Sequence, residues 1–212
     1  MNDLVLAFSR RFARLTTRVV VSHPTLWRLF RRPLRASFNA LAPQWHEIVS
    51  EEGKLAPLAE ALGRLDAPPG RVLDLGTGTG KGAQLVAERF PEADVLGVDL
   101  SPGMIEEAAR LLPRDLERRV RFRVADASAL PLADGAFDLV VLLNMIPFFS
   151  ELARVTAPGG TVVVAHMSGA ETPIWTPPKT LRGKLGPLGF DRFEELTAGS
   201  GTALLARKAK PE

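Results

Sequence analysis

Three glycines at alternate positions follow a short apolar run in Val72-Leu73-Asp74-Leu75-Gly76-Thr77-Gly78-Thr79-Gly80, and a helical pattern begins directly after them. Glycine lets a chain turn tightly and lets a ligand approach the backbone. The first N–H groups of the following helix are free to meet polar ligand atoms. This is nucleotide-binding chemistry, and three patterns compete for it. A phosphate-binding P-loop needs glycine five residues before its Gly-Lys pair and Ser or Thr after it; Leu75 and Gly82 stand in those places. The dinucleotide fingerprint needs glycine three residues after the second glycine. Lys81 stands there, which disfavours a nicotinamide oxidoreductase. The pattern acid-x-Gly-x-Gly-x-Gly, starting at Asp74, is matched in full.

A second acid ends the next apolar run, Val95 to Asp99, 19 residues beyond Gly80. A carboxylate at that spacing suits a ribose diol, because it accepts two hydrogen bonds at once. Ser101-Pro102 then has the form of a helix start, with serine as cap and proline at the first position. Asp126 follows a third run, Val120–Ala125. Its carboxylate suits an exocyclic amine, or else it caps the turn that follows. Asn144 follows the nearly continuous apolar run 136–143, at the carboxyl edge where ligands bind in open α/β sheets. It is a candidate to hydrogen-bond a cofactor or an acceptor.

In this order the segments resemble the class I methyltransferases, within the small-molecule group that includes quinone-biosynthesis and methyltransferase-11-like proteins. The resemblance covers about residues 70–208. It implies S-adenosyl-L-methionine as cofactor. Asp74, Gly76, Thr77, Gly78 and Gly80 match the first motif. Asp99, Leu100 and Met104 match the second, Asp126 and Ala127 match the adenine end, and Asn144 matches the fourth strand's edge. The sequence departs from the Asn-Pro-Pro-Tyr form of amino-methylating DNA enzymes, since Met145-Ile146 precede Pro147.

Such an enzyme would work mainly by alignment, which supplies on the order of 7–11 kcal/mol in favourable cases. A base is needed only if the acceptor must lose a proton. The three histidines are His23, His46 and His166. His166 follows the fifth apolar run and is the candidate base, with a hydrogen-bonded structural histidine as the competing reading. The segment from Phe38 to His46 resembles a pre-core segment of the quinone-type enzymes. Trp45 is a physically reasonable neighbour for a sulfonium, because cations favour ring faces. Trp175, in the proline-rich loop 172–178, is expected to line an acceptor pocket or to pack on the body.

These residues need a scaffold. Apolar runs at 71–76, 94–99, 119–125, 136–143 and 160–167 alternate with helical patterns at 80–90, 102–112, 148–155 and 178–186. The alternation predicts an α/β fold, a Rossmann-like doubly wound sheet with mostly parallel strands. Runs at 190–197 and 201–208, separated by Ala198-Gly199-Ser200, predict an antiparallel C-terminal hairpin. The joint Ala67-Pro68-Pro69-Gly70 divides a helical N-terminal extension, 1–69, from a cofactor-binding domain, 70–212. In the extension, residues 1–22 are expected as an amphipathic helix, Pro33 as a break between short helices, and 44–65 as helical.

With 46% hydrophobic residues and 24% charged, the 212-residue chain has material for a full core. It has no cysteine, which excludes disulfides and thiolate chemistry and fits a cytoplasmic protein. Residues 1–46 hold eight arginines and one acid, a balance of +7, which leaves −4 for the rest of a chain whose total is +3. Arg14 and Arg18 interrupt the apolar region that a twin-arginine signal would need. The basic arm suits a lid, a peripheral membrane helix or, least well, a nucleic-acid contact. The leading expectation is therefore a methyltransferase for a small organic acceptor. The alternatives are an RNA or DNA methyltransferase using the arm, and a cofactor-binding partner protein without catalysis.

Overall fold

The computed structural model describes residues 3–49 and 53–210, with side chains for 10–45 and 53–210. Two long helices come first, α1 (Asp3–Ser22) and α2 (Trp27–Val49), then α3 (Ala56–Leu62). The alternating part follows: β1 (Arg71–Leu75), α4 (Lys81–Arg89), β2 (Asp94–Asp99), α5 (Pro102–Leu111), β3 (Val120–Val124), β4 (Phe137–Leu143), α6 (Phe149–Val155), β5 (Thr156–His166) and α7 (Pro178–Leu185). The hairpin of β6 (Phe190–Ala198) and β7 (Gly201–Lys208) ends it.

The seven strands form one sheet in the order β3-β2-β1-β4-β5-β7-β6. The first five run parallel, and β7 is antiparallel to both β5 and β6. The strand order reverses beside β1, where Leu73 pairs with Leu96 on one side and Val140 on the other. That reversal opens a crevice beyond the carboxyl ends of the strands.

Alternation along the strands splits the core into two layers. Leu73, Leu75, Val140 and Leu142 point into one buried cluster. Val72, Val95, Leu139 and Val141 point into the other, against α3 and α4. The arm joins the first cluster through Val20, Val21, Trp27 and Leu34, so it is packed on the sheet as part of the core.

One expectation for the arm is corrected. Pro33 lies inside α2, as does Pro43, and no break occurs there. An interior proline costs about 3 kcal/mol, whereas fully burying one Leu-sized side chain returns roughly 1.5–3 kcal/mol. α2 buries Trp27, Leu34 and Ala42 along one side, so packing overrides the local signal. The region expected as one helix over 44–65 contains the end of α2 and the separate α3.

Candidate functional site

A cleft with about 1080 Å³ of open space, counted to its mouth, lies at the carboxyl edge of β1, β2 and β4. Its floor is the glycine loop and the end of β2; its roof is Trp27, Leu34, Phe38 and Trp45 of α2.

The loop has the backbone its glycines allow. Gly76, Gly78 and Gly80 have φ of 75°, 53° and 85°. A Cβ on Gly76 would stand 2.7 Å from Met145 Sδ, and one on Gly78 would stand 3.0 Å from Trp45 Nε1. Both positions exclude a side chain by conformation and by contact. Asp74 is buried beneath the loop and accepts from Thr77 Oγ1 at 2.6 Å and from the Ala83 amide. Burial raises its pKa to about 6, opposed by those two hydrogen bonds.

Asp99 lines the cleft at the end of β2. Its Oδ2 accepts from the Gly78 amide at 3.0 Å and its Oδ1 from the Ser101 amide at 2.9 Å. Burial pushes its carboxyl above the usual value, and the amides of Ser101, Gly78 and Leu100 pull it back. Ser101 caps α5 by accepting from the Met104 amide at 3.2 Å. The arm reinforces that cap: Asn39 Oδ1 accepts from Ser101 Oγ and, at 3.2 Å, from the Gly103 amide. Leu100, Met104, Ala125 and Ala127 present an apolar wall beside Asp99.

Residues 72–160 match the family model described as a methyltransferase domain. Over this region the chain is similar to S-adenosylmethionine-dependent methyltransferases of class I. It is similar to a demethylmenaquinone methyltransferase of Thermus thermophilus, with 43% identity over 143 residues, covering 64% of this chain and 61% of the relative. It is also similar to a malonyl-acyl-carrier-protein O-methyltransferase of Halorhodospira halophila, with 38% identity covering 67% of this chain and 50% of the relative. A trans-aconitate 2-methyltransferase of Methylobacterium nodulans is 41% identical over 125 residues, covering 55% of this chain and 46% of the relative. The chain thus spans about half to three fifths of these relatives. Among solved structures, a SAM-dependent methyltransferase from Aquifex aeolicus shares the fold at TM-score 0.63 and 18% identity, covering 79% of this chain and 98% of that one. The cyclase SpnF shares it at TM-score 0.67 and 20% identity, covering 84% and 96%. One fold therefore hosts differently named chemistries, and the site must carry the functional argument.

The structure gathers Asp74, Gly76, Thr77, Gly78, Asp99, Leu100, Met104, Ala127 and Asn144 around one cleft. Gly80 stands behind it as the left-handed cap of α4. Asn144 itself has φ of 52°, uncommon for a residue with a side chain. Its Oδ1 accepts from the Met167 amide at 2.9 Å, so the turns after β4 and β5 are tied together.

One expected site residue lies elsewhere. His166 is buried, and its Nε2 accepts from the Thr176 amide at 3.4 Å. It also donates to the Ile174 carbonyl, and burial lowers its pKa to about 4. It faces a second cavity, shared with Trp175 and Thr176, and does not line the cleft. Its role as a base facing the acceptor is thereby corrected: the ring staples the loop after β5 to the strand. Trp175 follows the packing alternative of its two readings, and Ile174 is the loop residue that reaches the cleft. Asp126 takes the turn-capping alternative of its two readings. Its Oδ1 accepts from Trp27 Nε1 at 2.8 Å and from both the amide and hydroxyl of Ser128. Its Oδ2 lies 3.6 Å from Arg31. This carboxylate faces the arm, and its flanking alanines line the cleft. The side chain of His46 lies outside the described residues.

Sequence reasoning missed Thr79, Lys81, Met145, Ile146, Met167, Ile174, Ala13 and Thr16, all of which line the cleft. Thr79 and Lys81 sit inside the recognised loop and were legible by position. Ala13 and Thr16 carried no signal, because nothing local says that α1 folds back over the sheet.

Proposed function

We propose that this chain transfers a methyl group from S-adenosylmethionine to a small organic acceptor, chiefly by alignment. The glycine loop carries the reading: Gly76 to Gly78 leave bare backbone facing a cleft whose far wall ends in Asp99. The residues fit the cofactor. The hydroxyl of Thr79 is buried without a hydrogen-bond partner among the described residues and lines the cleft. Beside it Lys81 supplies a cation for a carboxylate.

In this reading Asp99 holds the ribose hydroxyls, and Leu100, Ala125 and Ala127 flank the adenine. Thr79, Lys81 and the loop amides hold the amino-acid end. Asp74 holds the loop in shape through Thr77. The bound cofactor supplies an activated methyl on sulfonium. Trp45, packed edge-on against Phe38 at 5.6 Å between ring centres, offers a ring to the cation. The roof of α2 excludes water. Asn144, with its oxygen engaged by Met167, has its amide hydrogens left for cofactor or acceptor. The catalytic domain of this reading is 70–212, and residues 1–69 are its lid. Calorimetric titration with S-adenosylmethionine, S-adenosylhomocysteine and NAD tests it: the first two should bind, and NAD should not. Failure of both sulfur ligands to bind at millimolar concentration would overturn it.

The same arm favours a cytoplasmic protein in peripheral contact with an anionic membrane. Leu15 and Leu29 are 58% and 64% exposed, the largest exposures among large apolar side chains of the described residues, and they stand among Arg11, Arg18, Arg28, Arg32 and Arg35. No helix among the described residues is long and apolar enough to cross a membrane.

A further inference from the structure

Two adjacent threonines on α1 are buried, and they behave differently. Thr17 Oγ1 donates to the Ala13 carbonyl at 2.8 Å, the usual resort of a buried helical threonine. Thr16 is fully buried, yet its Oγ1 has no partner among the described residues. Buried polar groups are nearly always paired, so an orphan in a cleft wall is a ligand's partner in waiting.

The place of Thr16 shows which ligand. Arg10 donates to the Glu171 carbonyl at 3.0 Å and Arg14 to the Ala170 carbonyl at 3.2 Å. These bonds hold α1 over the turn that follows β5. Thr16 therefore belongs to the half of the cleft formed by Met145, Ile146, Met167 and Ile174, across from the β2 end where Asp99 stands. No charged side chain lines that half among the described residues: Asp74, Lys81 and Asp99 all belong to the glycine-loop half, and neither Arg10 nor Arg14 lines the cleft.

We propose that the acceptor half takes an uncharged, apolar molecule carrying one hydroxyl or carbonyl group, and that Thr16 of the N-terminal arm holds that group. This rests on the methyl-transfer reading and deepens it by naming the acceptor's chemistry. A carboxylate acceptor would be buried with no side-chain cation to meet it, which is costly. A wholly apolar acceptor would leave Thr16 unpaired. Specificity here comes from the Thr16 hydroxyl together with the Asn144 amide, set among the apolar Met145, Ile146, Met167 and Ile174.

Three probes of one shape test it: 2-naphthol, naphthalene and 2-naphthoate, titrated by tryptophan fluorescence into the full chain saturated with S-adenosylhomocysteine. The proposal expects 2-naphthol to bind about fivefold more tightly than naphthalene, the worth of one hydrogen bond. It expects 2-naphthoate to bind roughly tenfold more weakly than 2-naphthol or worse. Thr16→Val should erase the preference for naphthol over naphthalene, and Thr16→Ser should keep it. Both variants should bind S-adenosylhomocysteine as the parent does. Tightest binding of naphthoate, a preference that survives Thr16→Val, or no binding of any probe at millimolar concentration would each overturn the proposal. Loss of S-adenosylhomocysteine binding by the parent chain would instead sink the methyl-transfer reading, so the two failures are distinguishable.

Discussion

The indole N–H of Trp27 donates to the carboxylate of Asp126 at 2.8 Å, joining the N-terminal arm to the turn after β3. Trp27 also meets Phe148 edge-on, 5.2 Å between ring centres. One residue thus pins the roof of the cleft to both sides of the sheet's centre. Trp27→Phe keeps most of the ring packing and removes the hydrogen bond. It should cost about 1 kcal/mol of stability and speed proteolytic cleavage within α1 and α2. Unchanged cleavage of the arm would show that this bond does not hold the roof.

Asp99 is expected to hold the cofactor's sugar, so Asp99→Ala should weaken S-adenosylhomocysteine binding by about 1–3 kcal/mol, the loss of charge-assisted hydrogen bonds. Lys81→Met should weaken it less, because Lys81 is half-exposed and solvent screens its charge. Calorimetry checks both, and equal affinity in the Asp99 variant would remove the ribose role.

Gly78→Ala combines backbone strain at φ 53° with contact on Trp45. Strain of this kind costs of order 1–3 kcal/mol. Measured against Trp45→Ala alone, the affinity loss caused by Gly78→Ala should shrink to the part due to strain. No remaining loss in the double variant would show that strain is absent, and an unchanged loss would show that the indole contact is immaterial.

His166 and Asp74 titrate with opposite consequences. Burial holds the folded pKa of His166 at about 4, below its ordinary 6.5. The unfolded chain therefore takes up that proton first, and the stability present above pH 6.5 is lost as pH falls toward 4, in total about 3 kcal/mol. His166→Gln should flatten this limb. Asp74 has its folded pKa raised to about 6 from 3.8, so its contribution is complete below pH 3.8 and is lost as pH rises through 6. Asp74→Asn should remove that loss and gain stability at pH 8 relative to the parent. Urea midpoints from pH 4 to 8 on both variants separate the two, and parallel curves for parent and variant would refute the assignment for that residue.

The outer face of the arm should bind vesicles containing phosphatidylglycerol and not neutral phosphatidylcholine vesicles. Removing both charges in Arg11→Gln with Arg18→Gln should weaken binding by about thirtyfold, at about 1 kcal/mol for each arginine. Co-sedimentation at two salt concentrations measures it. Tighter binding to RNA than to vesicles would redirect the arm to nucleic acid.

Residues near one another in the chain told most of the fold. The strand runs, the glycine spacing, Asp99 after β2 and the hairpin around Ser200 are local patterns, and local patterns follow from backbone geometry and from the period of burial. Pro33 misled because its local cost is outweighed by Trp27 and Leu34, whose burial depends on a sheet that begins at residue 71. What only the tertiary structure decided is where side chains from distant segments meet. His166 sits at the predicted strand end, yet its direction is set by the loop at 174–176. Asp126 occupies the predicted turn, yet Trp27 and Arg31, almost a hundred positions earlier, take its carboxylate. Thr16 has no distinguishing neighbours in the chain and becomes a cleft residue only because Arg10 and Arg14 fasten α1 beyond β5. Hydrogen-bond partners and the direction of a buried side chain are properties of packing, and packing is decided by the whole chain at once.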